Sequence, residues 1–136
     1  MDFCELLKAS PDLHHLSPAS EEEIRDAEQE LGVDFAEEYK EYLRCFGTAI
    51  IEDHEFCGIC QSPRLNVVDV TLHEREVLAN HKCDFMYVVE KLGIDDLSIW
   101  QDSKGVVYCS SPQTQVKKIA ESLYNYLYNE NSHCNM

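Results

Sequence analysis

Basic side chains are scarce in this sequence. Lys and Arg together number 11, whereas Asp and Glu number 26, so the formal net charge is −15 at pH 7. A chain with this charge repels the phosphates of nucleic acids and of anionic lipid headgroups, because its long-range field has the wrong sign. We therefore expect neither nucleic acid nor a membrane as a partner, and the charge favours a basic protein instead.

Glycine is scarce as well, with 5 residues, and the chain has no glycine-rich loop of the kind that binds phosphate. The GxSxG and HExxH motifs of hydrolases are also absent from the sequence. The 6 histidines have no spacing that identifies a nucleophile and its base, and we interpret them as solvated surface residues. The sequence therefore predicts no enzymatic activity, no catalytic residues and no cofactor.

Long apolar runs are missing too. No stretch approaches the roughly 18–20 apolar residues that cross a bilayer, and residues 1–5 lack the basic and apolar regions of a signal peptide. We therefore expect a cytoplasmic protein. The 7 cysteines are odd in number and scattered, unlike a secreted disulfide framework, and this indicates reduced thiols.

Hydrophobic periodicity predicts helices in the first third of the chain. Ser20 and Glu23 form a capping box in front of a helix that ends at Gly32. A second helix carries an apolar stripe from Phe35 to Phe46. The other predictions for this part are a short helix over residues 2–8 and a loop over residues 9–19.

Strand patterns dominate the rest of the chain, at residues 48–51, 55–57, 85–89, 97–101 and 106–109. The alternation in residues 97–101 is typical of an edge strand, which could pair with a second copy. Asn66 predicts the start of a third helix, and Ser111-Pro112 predicts a last helix with apolar residues from Val116 to Leu127. The order predicts one α+β domain over residues 1–128, with helices packed around a mostly antiparallel β-sheet, and a flexible tail over residues 129–136.

The CxxC pair formed by Cys57 and Cys60 is the sharpest short motif. With His54, and with His81 or Cys83 as a fourth group, it has the residue types of a structural zinc site. A redox dithiol would instead need its first cysteine at a helix N-terminus, whereas Cys57 ends a predicted strand. A single CxxC is a weak signal, so incidental thiols are the favoured interpretation, and a zinc site and a redox dithiol remain alternatives.

Carboxylates are concentrated in the two helices predicted between Ser20 and Phe46 and in the turn that follows them. Between Ser20 and Arg44, 10 acidic residues face 3 basic ones, which exceeds what solubility requires. The hypothesis for a partner-binding surface therefore includes Glu37, Glu38, Glu41, Glu52, Asp53 and Glu55. Trp100 is most simply a core residue, but it shares a predicted strand face with polar side chains, so Trp100 or Tyr108 is an alternative aromatic anchor.

Several motifs in their order resemble the SUKH superfamily, which includes the yeast Smi/Knr cell-wall regulators and many bacterial immunity proteins. The first half carries them at residues 24–33 (IRDAEQELGV), 39–43 (YKEYL) and 46–49 (FGTA). The second half carries them at residues 87–90 (YVVE), 105–108 (GVVY) and 119–127 (IAESLYNYL). The pattern is most similar to the branch of the YobK-type antitoxins. Phe35-Ala36 departs from the Leu-Pro that the family often has at the start of its second helix.

The resemblance implies a SUKH-like fold with a strongly twisted sheet and a non-catalytic immunity protein that binds a cognate polymorphic toxin. A toxin of the nuclease type has a basic cleft, which carboxylates can occupy in place of phosphates. The alternative that the resemblance also implies is an intracellular interaction scaffold of the Smi/Knr type. A small zinc or redox protein built on Cys57 and Cys60 is a lower alternative.

Overall fold

Five helices and seven strands make up the part of the chain that the computed structural model describes, which is residues 2–78, 83–93 and 96–128. The helices are α1 (Phe3–Lys8), α2 (Glu21–Leu31), α3 (Glu37–Phe46), α4 (Val67–Val77) and α5 (Leu123–Tyr128). The strands are β1 (His14–His15), β2 (Ala49–Ile51), β3 (His54–Glu55), β4 (Met86–Lys91), β5 (Ser98–Asp102), β6 (Val107–Ser111) and β7 (Thr114–Ala120). The predicted α+β class is confirmed.

The strands form two antiparallel sheets. The smaller has the order β1-β2-β3, so the predicted loop over residues 9–19 contributes a short strand, and the larger is the meander β4-β5-β6-β7. One bridge between Phe56 and Glu90 joins the two sheets. The Cys57 amide also donates to the Val89 carbonyl at 2.8 Å. Residues that follow β3 therefore run alongside β4 and place the β2–β3 turn beside the larger sheet.

Local signals explain where α2 and α3 begin and end. The predicted capping box of α2 is present, with the Glu23 amide 3.1 Å from Ser20 Oγ and the Ser20 amide 2.9 Å from Glu23 Oε1. Gly32 ends α2 with φ +67°, a conformation that residues with a Cβ rarely adopt. The helix α3 begins at Glu37, directly after the departure from the family pattern at Phe35-Ala36.

Helices cover both faces of the larger sheet. Ser98 Oγ donates to Glu74 of α4 at 3.0 Å, whereas Gln101 Nε2 donates to Glu38 of α3 at 2.9 Å. Because alternate residues of a strand point to opposite faces, α4 lies on one face and α3 on the other. The β4 strand is buried along almost its whole length as a result, as its nearly continuous apolar pattern predicts.

Aromatic rings fill the core between α1, α3 and the sheets. Phe3 packs edge-on against Phe56 with ring centroids 5.4 Å apart, and Tyr39 stacks on Tyr42 at 5.4 Å. The tyrosine hydroxyls are paired in this apolar setting, since Tyr39 donates to the Cys57 carbonyl at 2.7 Å. Burial raises the pKa of both tyrosines well above the ordinary value, so they stay neutral hydrogen-bond donors.

The prediction of a long last helix is wrong. Residues 114–120 form β7, and the helix α5 covers only Leu123–Tyr128. Ser111 pairs with Thr114 across β6 and β7, which makes Pro112 and Gln113 the two central residues of a hairpin turn. Proline suits the first position of a helix and the first central position of a turn alike, because both need its fixed φ.

The prediction of an edge strand at residues 97–101 is also wrong, because β5 lies between β4 and β6. All five of its residues, Ser98–Asp102, are buried, so this strand has no free edge for a second copy. The hairpin predicted after it is confirmed, with Trp100 opposite Tyr108. The predicted tail at residues 129–136 lies outside the described residues.

Candidate functional site

The predicted acidic turn connects β2 to β3 and is exposed. Glu52 and Asp53 form the turn itself, and the β2–β3 register places Ile50 opposite Glu55. The Glu52 amide donates to Asp12 Oδ2 at 2.8 Å, so the turn gains a further carboxylate that the sequence hypothesis did not include. A hydrogen bond from the Ser10 hydroxyl is the main reason why the pKa of Asp12 lies below its ordinary value. Asp12 therefore adds an ionised carboxylate beside the turn at neutral pH.

A buried polar cluster supports this turn from below. His54 Nδ1 lies 2.8 Å from Glu90 Oε2, and the Tyr126 hydroxyl donates to Glu90 Oε1 at 2.7 Å. The His54 ring also stacks on Phe56, with an interplanar angle of 4°. His54 is only 8% exposed, so its interpretation as a solvated surface histidine is wrong. We refer to His54, Glu90 and Tyr126 as the buried triad.

Two adjoining cavities lie beside the turn, and we call them together the groove. The smaller, of about 260 Å³, is lined by Ile50, Glu52, Asp53, Glu55, Lys91, Leu92 and Gly93. The larger, of about 450 Å³, is lined by Glu55, Cys57, Pro63, Arg64, Leu65, Asp69, Val70, His73, Glu74 and Lys91. Glu55 and Lys91 line both, so the two cavities are neighbours, and each of the three acidic residues predicted at the turn lines at least one of them.

The cations of the groove already have anionic partners. Arg64 Nη1 forms an ion pair with Glu55 Oε1, and Lys91 Nζ lies 3.1 Å from Glu74 Oε2. Glu74 is buried, and it also accepts a hydrogen bond from Ser98 Oγ. The carboxylate of Asp69, by contrast, is exposed at the rim. The groove therefore presents a negative surface to a partner although it contains both signs of charge.

The two cysteines of the CxxC motif are free thiols in different environments, since Cys57 is buried and Cys60 is half-buried. The thiol of Cys57 is 1% exposed, and burial raises its pKa to about 12. Cys60 Sγ donates weakly to the Ser62 carbonyl at 3.6 Å. Within the described ranges, no three His, Cys, Asp or Glu side chains gather as metal ligands. The structure thus does not bring His54, Cys57, Cys60 and Cys83 together, and His81 lies outside the described residues.

The acidic residues of α3 divide into two groups. Glu37 and Glu41 are exposed, and Glu37 lies 3.6 Å from Arg44 Nη1 in an ion pair. Glu38 is half-buried and accepts hydrogen bonds from the amides of Leu123 at 2.7 Å and Tyr124 at 3.0 Å. It therefore caps the N-terminus of α5. The structure thus gives Glu38 an internal role, and its contact with a partner stays a prediction.

The two candidate aromatic anchors differ in the same way. Trp100 is 0% exposed, and its indole N–H donates to Ser110 Oγ at 2.8 Å. It is a core residue, so the anchor hypothesis is wrong for Trp100. Tyr108 is half-buried, donates to Asp102 Oδ2 at 2.9 Å and packs edge-on against the exposed ring of Phe85. Desolvation and the hydrogen bond to Asp102 raise the pKa of Tyr108 to about 12.

Some features of this region have no clear sequence signal. Asp12 lies 40 positions before Glu52, and Asp69 lies on the separate helix α4. Only the tertiary structure therefore places these two residues near the turn. Glu90 directly follows four apolar residues of one strand, and this position is the one hint that its side chain is buried.

No helix in the described ranges is long and apolar enough to cross a membrane.

Comparison with known protein families gives a match over most of the chain. The family model described as SUKH_5, SMI1-KNR4 cell-wall, matches residues 2–131. The matched range contains every helix and strand named above, together with the groove and the buried triad. No curated protein matches the chain.

Proposed function

The chain belongs to the SUKH family of SMI1-KNR4 proteins, and from this premise we propose that it is a non-catalytic immunity protein that neutralises a cognate toxin. The superfamily includes immunity proteins, and its members bind partner proteins. The observation that carries the proposal is the groove, where Glu52, Asp53 and Glu55 of the acidic turn meet a cavity with a partly apolar lining. Such a surface suits a protein partner with a basic patch.

Charge supports a toxin of the nuclease type as that partner. A nuclease binds phosphates in a basic cleft, and the carboxylates of this chain, which has a net charge of −15, offer an alternative set of anions. Electrostatic attraction raises association rates by roughly 10–1000-fold at low salt. Fast capture matters when a free toxin damages the cell that makes it, and this places the proposed action in the cytoplasm.

The acidic turn is well placed to act as a rigid contact surface. The buried triad fixes its base, because His54 of β3 is held by Glu90 of β4 and the Tyr126 hydroxyl binds the same carboxylate. A surface that is ordered before binding loses less conformational entropy in the complex. Away from the turn, we include as secondary contacts the exposed Glu37 and Glu41 and the half-buried Tyr108.

A regulatory interaction module is the second candidate function. The observation that favours it is the description of the matching family, which refers to the cell wall. Such a module would also be non-catalytic and would bind a protein through the same groove. The two candidates therefore differ in the identity of the partner and not in the chemistry of the surface.

Co-expression with the toxin domain encoded next to this gene tests the proposal. We expect that cells producing the toxin survive only when this protein is present, and that the two proteins co-purify as a complex that weakens as salt rises. The absence of a toxin gene at that position, or the death of cells that produce both proteins, would overturn the immunity function and leave the regulatory module.

A matched pair of variants tests the placement of the contact. The triple variant Glu52→Gln, Asp53→Asn, Glu55→Gln removes three negative charges from the turn. The control Glu22→Gln, Asp26→Asn, Glu30→Gln removes three from exposed positions of α2. We expect the turn variant to slow association at least tenfold more than the control. Equal association rates for the two would show that net charge, and not the turn, governs binding.

A further inference from the structure

We infer that the groove receives one extended segment of the toxin, which inserts an apolar side chain into the larger cavity and a basic side chain into the smaller one. The inference rests on the proposed function, because the occupant is a segment of the toxin. It adds which types of side chain this segment carries and which cavity each of them occupies.

The larger cavity has an apolar floor of the kind that anchor residues fill. Cys57, Leu65 and Val70 line it and are 1%, 8% and 9% exposed. Its volume of about 450 Å³ lies within the range of roughly 300–1,000 Å³ that is usual for ligand pockets. Aromatic side chains inserted into such desolvated pockets commonly supply most of the binding energy of a protein interface.

The walls of this cavity are ordered in the free protein. The Gly58 amide donates to the Leu65 carbonyl at 2.9 Å, and the Val67 amide donates to the Gly58 carbonyl at 2.7 Å. Asn66 Nδ2 donates to the Cys60 carbonyl at 2.8 Å, while Asn66 Oδ1 caps α4. These bonds fix the loop between β3 and α4, so the cavity exists before a partner arrives.

The charges around the groove favour a basic side chain next to the apolar one. Arg64 is paired with Glu55 and Lys91 with Glu74, so an anionic ligand would have to displace a carboxylate. Glu52 and Asp53 are exposed at the smaller cavity, where a basic side chain would find anions on two sides. Arg64 is 66% exposed in its ion pair, and an incoming cation can therefore replace it at Glu55.

The arrangement of the two cavities indicates that both side chains come from the same segment. Glu55 and Lys91 line both cavities, so the sites are direct neighbours. Neighbouring residues of an extended chain are about 3.3 Å apart along its axis. We therefore assign the apolar and the basic side chain to residues that lie close together in one segment.

Two matched pairs of variants on α4 test the inference with the toxin. Val70→Phe adds a ring to the cavity floor, whereas Leu72→Phe adds it to a residue that is 42% exposed and does not line the groove. Asp69→Lys reverses a charge at the rim, whereas Glu76→Lys reverses one at another exposed position of the helix. We expect the first member of each pair to raise the Kd at least tenfold and the second to change it less than twofold.

The outcomes separate this inference from the proposed function. The groove inference is overturned if the wild-type protein binds and protects and the folded Val70→Phe and Asp69→Lys variants bind the toxin as tightly. That result leaves the proposed immunity function intact. A tenfold loss of affinity in both variants, with their controls unchanged, supports the inference. Folding is checked by urea unfolding monitored through Trp100.

Synthetic peptides test the groove independently of any toxin. The probe is the pentapeptide Arg-Gly-Phe-Gly-Arg, titrated into the isotope-labelled protein and followed by amide chemical shifts. We expect shifts at residues 50–57, 63–73 and 91–93, no such shifts with Ser in place of Phe, and none with Glu in place of Arg. Shifts elsewhere only, equal shifts with all three peptides, or shifts in the groove caused by inorganic phosphate and not by the peptide would overturn the inference.

Discussion

His54 Nδ1 and Glu90 Oε2 lie 2.8 Å apart, although 36 positions separate the two residues in the sequence. The pair connects β3 of the smaller sheet to β4 of the larger, and Glu90 is only 1% exposed. The Tyr126 hydroxyl donates to the same carboxylate and so attaches α5 to the pair. One buried glutamate thus joins three parts of the fold directly below the acidic turn.

Removal of this carboxylate should destabilise the protein strongly. For Glu90→Ala we expect the free energy of unfolding to fall by about 2–5 kcal/mol, because His54 and Tyr126 both lose a hydrogen-bond partner while they remain enclosed. The isosteric Glu90→Gln retains hydrogen-bonding atoms in the same place and should lose about 1–2 kcal/mol. Urea unfolding followed by the fluorescence of Trp100 measures both, with Glu76→Ala at an exposed position as the control. A Glu90→Ala protein with the same stability as the control would contradict this account.

Glu38 should be needed for α5 and not for α3, the helix on which it lies. Its carboxylate accepts from the amides of Leu123 and Tyr124, so Glu38→Ala leaves the start of α5 without a cap, at a cost of about 0.5–2 kcal/mol. Hydrogen exchange should become faster at these two amides. Glu37→Ala on the same helix is the control, since Glu37 is exposed, and similar exchange in both variants would refute the assignment.

Substitution by alanine should destabilise the protein at Gly58 and leave its stability almost unchanged at Gly93. A Cβ at Gly58 would lie 1.8 Å from the Gly47 carbonyl oxygen, so the backbone has to move in Gly58→Ala, at a cost of about 1–3 kcal/mol or more. A Cβ at Gly93 would meet nothing within 4 Å, and Gly93→Ala should change the stability by less than about 0.5 kcal/mol. Thermal unfolding of both variants measures this difference. Equal melting temperatures would show that the segment after β3 and the segment before β2 do not approach as closely as described.

Cys57 should be inert to alkylation in the folded protein. Burial raises its pKa from 9.0 to about 12, which lowers the thiolate fraction at pH 8 from about 10% to about 0.01%, and only the thiolate reacts. Cys4 has a pKa of about 12 for the same main reason and should behave likewise. Iodoacetamide labelling followed by peptide mass spectrometry, with and without denaturant, tests both thiols. Rapid labelling of Cys57 in the native state would restore the redox interpretation of the CxxC motif.

The sequence is sufficient to predict the elements that local signals define. Ser20 and Glu23 satisfy the backbone groups of their own helix, so the start of α2 is visible in four residues. The last helix shows the limit of such signals. Val116 and Ile119 have a spacing that suits a helix, but pairing with β6 gives residues 114–120 hydrogen bonds that a local pattern does not reveal. Tertiary pairing therefore outweighs the local preference.

The candidate site is predictable only in part, for a related physical reason. Glu52, Asp53 and Glu55 lie in a turn and are adjacent in sequence, so their common surface can be inferred directly. Glu38 and Trp100 have the residue types of an interface, but their tertiary partners are internal. Burial of a polar side chain depends on partners far away in sequence, and composition does not show these partners.

The packing of α1 determines how much of the chain must be synthesised before the core can form. Phe3 of α1 packs on Phe56, and α1 contacts both α3 and α5. Because a ribosome releases α1 before α5, α1 can complete its packing only after α5 has emerged. Tyr126 also completes the support of the acidic turn. Under the proposed function, a nascent chain therefore gives no protection until residue 126 has left the exit tunnel.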